Sequence, residues 1–492
     1  MAQQASVIAT LTEDPGESLL DDLPSGVECL EVRADLVDGL EAARLRRIFP
    51  GRLLYTLRSR AEGGGFEGSR AQRREKLLAA ADDFDLIDLE MDRDLHESVL
   101  AGIPAAKRLL SWHGSAGPVS TLVDRFREVE SVPAHLYKFV PTAREAQEET
   151  APLEFLHSIQ RRDVLAFAGG EGGVWTRYVA PYLGAPVLYG AFGSRAGAPG
   201  QPTVERICGD FGFPEMRTIE WVAGIVGNPV GHSLSPRLHN GAYRALGIPA
   251  LFLPFQPERF GDFWLEVLEG GLFRRIGWRF AALSVTAPFK SLAVAVAGAV
   301  SPLARAIDSA NTLVSKEGVW EAESTDPSGV VGPLQWRGIE LASKRAAVVG
   351  CGGAGRAAAA GLARAGCRVT LVNRTVDRGR EVAESLRLDF VGLEDLEPGR
   401  FDIVVNATSL GHDEDDPLPF EVDDIGSDGM VVDLVYGEQP TMLALRCRRR
   451  GLLVVEGREV LLHQAIEQFR LMTGRDLPVE LGRQLLALEE AE

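Results

Sequence analysis

Eight short apolar runs recur along residues 1–216, and a loop or an amphipathic stretch follows each. The runs are 6–11, 27–35, 52–58, 84–91, 107–113, 135–141, 163–169 and 186–193. Segments of helical period lie between them, as at 41–48, 72–81 and 121–129. Strands that alternate with helices build a parallel sheet covered on its outside. Eight near-regular repeats predict that the sheet closes into a (β/α)8 barrel, with an open doubly wound sheet as the alternative.

Closure has a chemical consequence, because such barrels gather their reactive groups at the C-terminal ends of the strands. The sequence sends Glu31 and Arg33 there, Arg58 with Glu62 close behind, then Glu90, His113 and Lys138. Arg177 follows the seventh run and Gln201 the eighth. The chain holds 46 arginines but only six lysines, so a lysine inside an apolar run is unusual here. Lys138 sits in L-Y-K-F-V. It is either a lysine that snorkels from a strand end or a desolvated amine with a lowered pKa, fit for Schiff-base formation. His113 alone reads as a core histidine. On the strand before Lys138 it becomes a candidate general base, with Glu62 to orient it.

The second half opens on G-N-P-V-G-H-S-L-S-P-R-L-H-N at 227–240, a polar loop between an apolar strand and a helical run. Ser233 and Ser235 place two hydroxyls near a helix start, where a carboxylate or small anion is well received. Short polar patches follow at strand ends: V-T-A-P-F-K with Lys290, D-S-A-N-T-L-V at 308–314, and S-T-D at 324–326. Residues 345–372 then read as strand, glycine turn, helix, strand. In that context Gly350, Cys351, Gly352, Gly353, Ala354 and Gly355 predict a backbone cradle for a dinucleotide pyrophosphate. The second strand ends in Asn373, Arg374 and Thr375 rather than an acidic residue. Arg374 and Arg378 suit a 2′-phosphate, hence NADP, unless they are simply solvated arginines. Thr408, in A-T-S-L-G, fits the nicotinamide side.

A chain of 492 residues exceeds one ordinary core, and its net charge of -18 argues against nucleic-acid binding. Five cysteines without C-x-x-C spacing suggest free thiols and a cytoplasmic setting. No apolar stretch is long enough for a membrane span, no H-E-x-x-H or other metal signature occurs, and no obligate protein partner is evident.

E-V-R at 31–33, R-S-R-A-E-G-G at 58–64, S-W-H ending at His113, Lys138 and A-P-G-Q at 198–201 resemble type I 3-dehydroquinate dehydratase, over about residues 5–215. The resemblance implies that Lys138 forms an imine with the substrate ketone while His113, oriented by Glu62, moves the protons. It also implies that Glu31, Arg33, Arg58, Arg177 and Gln201 hold hydroxyls and carboxylate. Gly197 departs from that family's usual serine before A-P-G-Q. From 222 to 480, H-S-L-S-P, V-T-A-P-F-K, A-N-T, S-T-D, G-C-G-G-A-G, N-R-T, N-A-T-S and G-R-E-V-L-L-H-Q resemble shikimate dehydrogenase. That resemblance puts Ser233 and Ser235 on the carboxylate and Thr286, Asn311, Asp326, Tyr436 and Gln464 around the ring hydroxyls. Lys290, paired with Asp326, becomes the acid/base group, and Leu434 and Gly457 join the NADP-binding set. Ser284 and Pro327 replace a usual Asn and Gly.

The expected fold is α/β: an N-terminal (β/α)8 barrel at 1–216, followed by a two-domain dehydrogenase. Its α/β substrate domain spans 217–335, completed by helices at 460–492, and its Rossmann domain spans 336–459. The expected function is a bifunctional enzyme that turns 3-dehydroquinate into 3-dehydroshikimate and reduces that to shikimate with NADPH. A quinate or dual quinate/shikimate dehydrogenase is the nearest rival, and a non-catalytic metabolite-binding regulator is the rival of another class.

Overall fold

The computed structural model describes residues 4–16, 19–37, 39–411, 415–437 and 439–488. Its first eight strands are β1 (Ser6–Leu11), β2 (Val27–Arg33), β3 (Arg52–Thr56), β4 (Leu86–Glu90), β5 (Arg108–Ser115), β6 (Leu136–Thr142), β7 (Val164–Ala166) and β8 (Val187–Phe192). They form one parallel sheet in the order β7-β6-β5-β4-β3-β2-β1-β8, a barrel closed through β1 and β8 and open at the β7 edge.

Period two sorts the side chains of each strand. Thr10, Glu31, Thr56, Asp88, Ser111 and Lys138 are buried, and hydrogen bonds join all but Lys138 into inward-facing sets. Phe139, one residue on from Lys138, instead meets Phe126 and Phe155 of the covering helices. Helix Arg70–Asp83 starts where the sequence can hold its first turn, with a reciprocal cap between Ser69 and Gln72. Its Arg73 reaches inward to a bidentate pair with Asp94 at 2.8 and 2.7 Å.

A second sheet contains β9 (Trp221–Val226), β10 (Ala250–Phe255), β11 (Arg279–Val285), β12 (Ala299–Val300), β13 (Thr312–Lys316) and β14 (Val319–Glu323), in the order β10-β9-β11-β13-β14-β12. The third is parallel throughout: β15 (Arg345–Val349), β16 (Arg368–Asn373), β17 (Asp389–Gly392), β18 (Ile403–Asn406), β19 (Met430–Asp433) and β20 (Leu453–Val455). Its order β17-β16-β15-β18-β19-β20 is the doubly wound pattern that reverses beside β15. Both faces are apolar, with Val348, Leu371 and Val405 on one and Val349, Val372 and Val404 on the other.

The chain divides into two compact units. One holds residues 1–224, 228–231 and 243–280; the other holds 225–227, 232–242 and 281–492. The first unit takes in residues 243–280, whose Phe255, Phe273 and Trp278 pack against Trp175 and Tyr182. Among the described residues no helix is long and apolar enough to cross a membrane.

Asp94 is buried and also accepts from the Glu90 amide at 2.8 Å. Arg73→Leu would leave that carboxylate buried without its cation, so we expect a loss of about 3–5 kcal/mol of stability. Urea unfolding followed by tryptophan fluorescence measures it; a loss below about 1 kcal/mol would mean that Asp94 rehydrates freely.

Candidate active sites

In the barrel, register brings the reactive groups together. β5 pairs with β6 so that Ser111 faces Lys138 and His113 lies two residues further towards the rim. Lys138 is buried, and its Nζ lies 3.9 Å from the centre of the Tyr189 ring. Among the described residues no carboxylate stands within ion-pair distance of it. Burial is the largest influence on its pKa, which falls to about 8; Glu31 and Asp88 oppose the fall, while Arg58 and Arg177 add to it.

Glu62, in the turn Arg60–Glu62, accepts from the His113 backbone N–H at 3.1 Å and meets its Nδ1 at 3.0 Å. Burial raises the Glu62 carboxyl to about 8, with Arg58 pulling against it and Glu90 and Asp88 pushing with it. Burial likewise holds His113 well below the ordinary histidine range, helped by the positive charges of Arg58, Lys138, Arg33 and Arg177. With Nδ1 engaged by the carboxyl, Nε2 is the nitrogen left to exchange a proton.

Around them the cations are individually braced. Arg58 bonds Asp88 at 2.7 Å, Ser111 at 2.8 Å and Glu62 at 3.2 Å. Burial opposes its charge, but Asp88, Glu62 and Glu90 more than compensate and raise its pKa. Arg33 forks onto Asp35 at 2.9 and 2.7 Å and donates to the Gly197 carbonyl at 2.6 Å. Gln201 links the Gly197 amide to Thr10 Oγ1, both at 2.9 Å. Glu31 accepts from Thr10 and Thr56 at 2.7 and 2.8 Å. Arg177, on helix Val174–Val179, is buried over the Phe167 ring at 4.0 Å with no partner for its Nε. Burial lowers it to about 10. Sequence reasoning missed Asp88 and Asp35. Asp88 was within reach, since it shares its face with Glu90 two residues on.

In the other unit a cavity of about 190 Å³ is lined by Ser235, Thr286, Lys290, Asn311, Asp326, Tyr436 and Gln464, with Ala354, Leu434 and Gly457 alongside. Lys290 Nζ meets Asp326 Oδ2 at 2.5 Å, and Asn311 Nδ2 donates to the other carboxylate oxygen at 2.7 Å. Ser233 does not line this cavity; its buried hydroxyl accepts from the Ser235 amide at 3.2 Å. Asp326 begins helix Asp326–Trp336, so Pro327 stands in a first turn, where its ring is tolerated, rather than in a loop. Gln468 escaped the sequence reading. It donates to the Asn311 carbonyl at 3.1 Å and Thr312 at 3.0 Å, and it accepts from Ser284 at 3.2 Å. One turn beyond Gln464, it lay on a legible helical face.

The glycine turn joins β15 to helix Gly353–Arg364. Gly350 has φ of +109°, and a Cβ on Gly355 would stand 2.0 Å from the Gly350 carbonyl oxygen. Only glycine keeps this turn tight against the helix N-terminus, which is the cradle a pyrophosphate requires. Arg374 and Arg378 are exposed beyond β16, and Asn373 donates to the Thr375 carbonyl at 2.8 Å. Arg378 and Arg356 are both close enough to counter the burial that raises the Cys351 thiol. Thr408 is fixed by Asn406 Oδ1 at 2.7 Å. These residues fit an NADP molecule.

Known families match the chain along most of its length. Residues 7–209 match type I 3-dehydroquinase, and 225–313 match the shikimate dehydrogenase substrate binding domain. Residues 335–413 match shikimate/quinate 5-dehydrogenase and 457–487 the shikimate 5'-dehydrogenase C-terminal domain. A shikimate dehydrogenase (NADP+) of Syntrophobacter fumaroxidans is 38% identical over 52% of this chain and 87% of its own. The crystal structure of Aquifex aeolicus shikimate dehydrogenase superposes with a TM-score of 0.50 at 30% identity, covering 54% of this chain and 97% of its own. The two halves are thus a type I dehydroquinase and a shikimate dehydrogenase. A bifunctional 3-dehydroquinate dehydratase/shikimate dehydrogenase of Arabidopsis thaliana is 28% identical over 94% of this chain and 80% of its own. Through its second half this chain belongs to the shikimate dehydrogenase family, and the type I 3-dehydroquinase match precedes it in the same chain.

A guanidinium–phosphate contact contributes about 1.5–3 kcal/mol. Arg374→Ala is therefore expected to weaken NADPH about tenfold to a hundredfold and leave NADH, which has no 2′-phosphate, nearly unchanged. Fluorescence titration of both cofactors is the measurement, and equal weakening would make Arg374 a structural residue.

Proposed function

We propose that Lys138 and Lys290 are the two reacting groups of this lyase and NADP-dependent oxidoreductase, each fitted to its step by its surroundings. The observation that carries the reading is their contrast: Lys138 lies buried against an aromatic face, and Lys290 is bonded to Asp326.

At the first site the neutral Lys138 amine adds to the ketone of 3-dehydroquinate, and loss of water gives an imine. The imine acidifies the adjacent C–H, and His113 Nε2 takes that proton while Glu62 holds Nδ1. The protonated His113 then delivers the proton to the departing hydroxyl, which leaves as water. Hydrolysis of the imine returns Lys138 and releases 3-dehydroshikimate. Arg33, Arg58, Arg177, Glu31 and Gln201 hold the substrate's carboxylate and hydroxyls.

At the second site NADPH supplies hydride when bound. Gly350, Cys351, Gly352, Gly353, Ala354 and Gly355 would hold its pyrophosphate, and Asn373, Arg374, Thr375 and Arg378 its adenosine phosphate. Thr408, Leu434 and Gly457 would complete the cofactor-binding set. Ser233 and Ser235 serve the substrate carboxylate; Thr286, Asn311, Tyr436 and Gln464 its ring hydroxyls. Lys290, held in place by its contact with Asp326, gives its proton to the carbonyl oxygen as negative charge builds there. The dehydrogenase relatives are named for shikimate and NADP+, so shikimate rather than quinate is taken as the product. We assign the barrel to 1–216, the substrate domain to 217–335 with the helices of 460–492, and the cofactor domain to 336–459. Five free cysteines support a cytoplasmic setting.

Imine formation needs the neutral amine. Borohydride trapping of 3-dehydroquinate on Lys138 is thus expected to rise about tenfold per pH unit below about pH 8 and level off above it. Mass spectrometry of the peptide locates the adduct, and a label on another residue would sink the mechanism.

The two chemistries are also separable. Lys138→Ala should abolish dehydration and spare shikimate oxidation, whereas Lys290→Ala should lower dehydrogenase kcat far more than it weakens NADPH binding. An assay from 3-dehydroquinate plus NADPH, with each variant alone and the two mixed, checks this. A mixture that fails to restore flux to shikimate would show a shared defect.

A further inference from the structure

The dehydratase rim leans on residues outside its own eight strands. Arg177 has no partner for its buried Nε, so its aim depends on the helix that carries it. On that helix Trp175 is fully buried and donates its indole N–H to Glu149 at 2.7 Å. Its ring lies 5.3 Å from that of Phe255, the last residue of β10, and 5.7 Å from that of Phe273 in helix Leu272–Arg275. The next residue, Gln256, donates to Glu171 Oε2 at 2.8 Å, in the loop that leads into Arg177's helix. That loop also abuts the A-P-G-Q segment: a Cβ on Gly200, beside Gln201, would stand 2.8 Å from the Gly170 carbonyl oxygen and 3.0 Å from Glu171 Cα. Arg275, in the same helix as Phe273, pairs with Glu154 of helix Ala146–Ile159.

Resting on the barrel reading above, we propose that residues 250–280 are a working part of the dehydratase. Phe255, Gln256 and Phe273 act through Trp175 and Glu171 as positioning residues for Arg177 and Gln201. Affinity for the first substrate therefore depends on side chains that the family match assigns to the second enzyme's substrate-binding domain. Phe273 is the cleanest handle, because Gln256 also accepts from the Val230 amide at 2.8 Å and so touches the loop that precedes Ser233.

The test uses the full-length chain with Phe273→Ala, Phe273→Leu and Glu171→Ala. Phe273→Ala and Glu171→Ala are expected to raise KM for 3-dehydroquinate about five- to twentyfold with kcat within about twofold, and Phe273→Leu to recover most of the loss. The acid limb of kcat/KM should move to higher pH in Phe273→Ala, because Arg177 is one of the cations that hold the Lys138 pKa down. Borohydride adducts at saturating 3-dehydroquinate count the folded sites, so a misfolded fraction is not read as lost turnover. Wild-type KM and an unmoved pH limb in the folded fraction would overturn the proposal. Dehydration by Lys138→Ala would instead overturn the imine reading itself, and no Phe273 variant enters that result.

Discussion

Among the described residues no carboxylate stands in ion-pair contact with Lys138, and the electrostatics of the barrel follow from keeping it so. Of the arginines in the interior and rim, three have an acid of their own: Arg58 has Asp88, Arg33 has Asp35 and Arg73 has Asp94. Acids committed in this way stand in contact with their own arginines rather than with the lysine. The ammonium is left with the Tyr189 ring, a weaker host than a carboxylate. A carboxylate in direct contact would favour the charged form and raise the pKa. The amine would then be protonated, whereas the proposed imine step needs it neutral. Burial and the company of other cations do the reverse, and they act on His113 in the same direction.

The second site solves the opposite problem with the same residue type. The proposed reduction of a ketone calls for a proton donor beside the oxygen, and Lys290 stands in direct contact with Asp326. The carboxylate is in turn held by Asn311, whose carbonyl oxygen accepts from the Thr325 amide at 2.8 Å and whose backbone carbonyl accepts from Gln468. Asp326 opens a helix, where its negative charge meets the positive end of the helix dipole. Two lysines in one chain thus differ in environment, since Lys290 has a counter-ion in contact and Lys138 has the Tyr189 ring.

The strands, the glycine turn and most rim residues were legible because periodicity and strand-end position are local properties. L-Y-K-F-V marks Lys138 as misplaced in an apolar run, and G-C-G-G-A-G within a βαβ unit has few other uses. What the sequence could not disclose is pairing between distant segments. Nothing in the run of residues says that Arg33 takes Asp35 while Arg58 takes Asp88, or that Gln468 rather than Gln464 secures Asn311. The extent of the first compact unit was hidden for the same reason. The aromatic residues at 255, 273 and 278 look like ordinary core of the second half, and only the fold brings two of them onto Trp175. Ser233 shows the converse, since a hydroxyl conspicuous in sequence here accepts a bond from its own loop.

Gly197 stands where the dehydratase family usually has serine, and the structure gives this departure a physical basis. A Cβ at that position would lie 2.9 Å from Thr10 Cγ2, 3.0 Å from Gln201 Oε1 and 3.1 Å from Arg33 Nη1. All three contacts are tighter than a side chain tolerates without movement of its neighbours. The glycine lets the backbone approach instead: its carbonyl accepts from Arg33 and its amide donates to Gln201. Two substrate-side residues are therefore tied to the loop by main-chain atoms, which have fixed directions and no rotamers to lose. A serine hydroxyl would add a donor but displace at least one of these partners. What the chain lacks in a loop side chain it has in a closer loop.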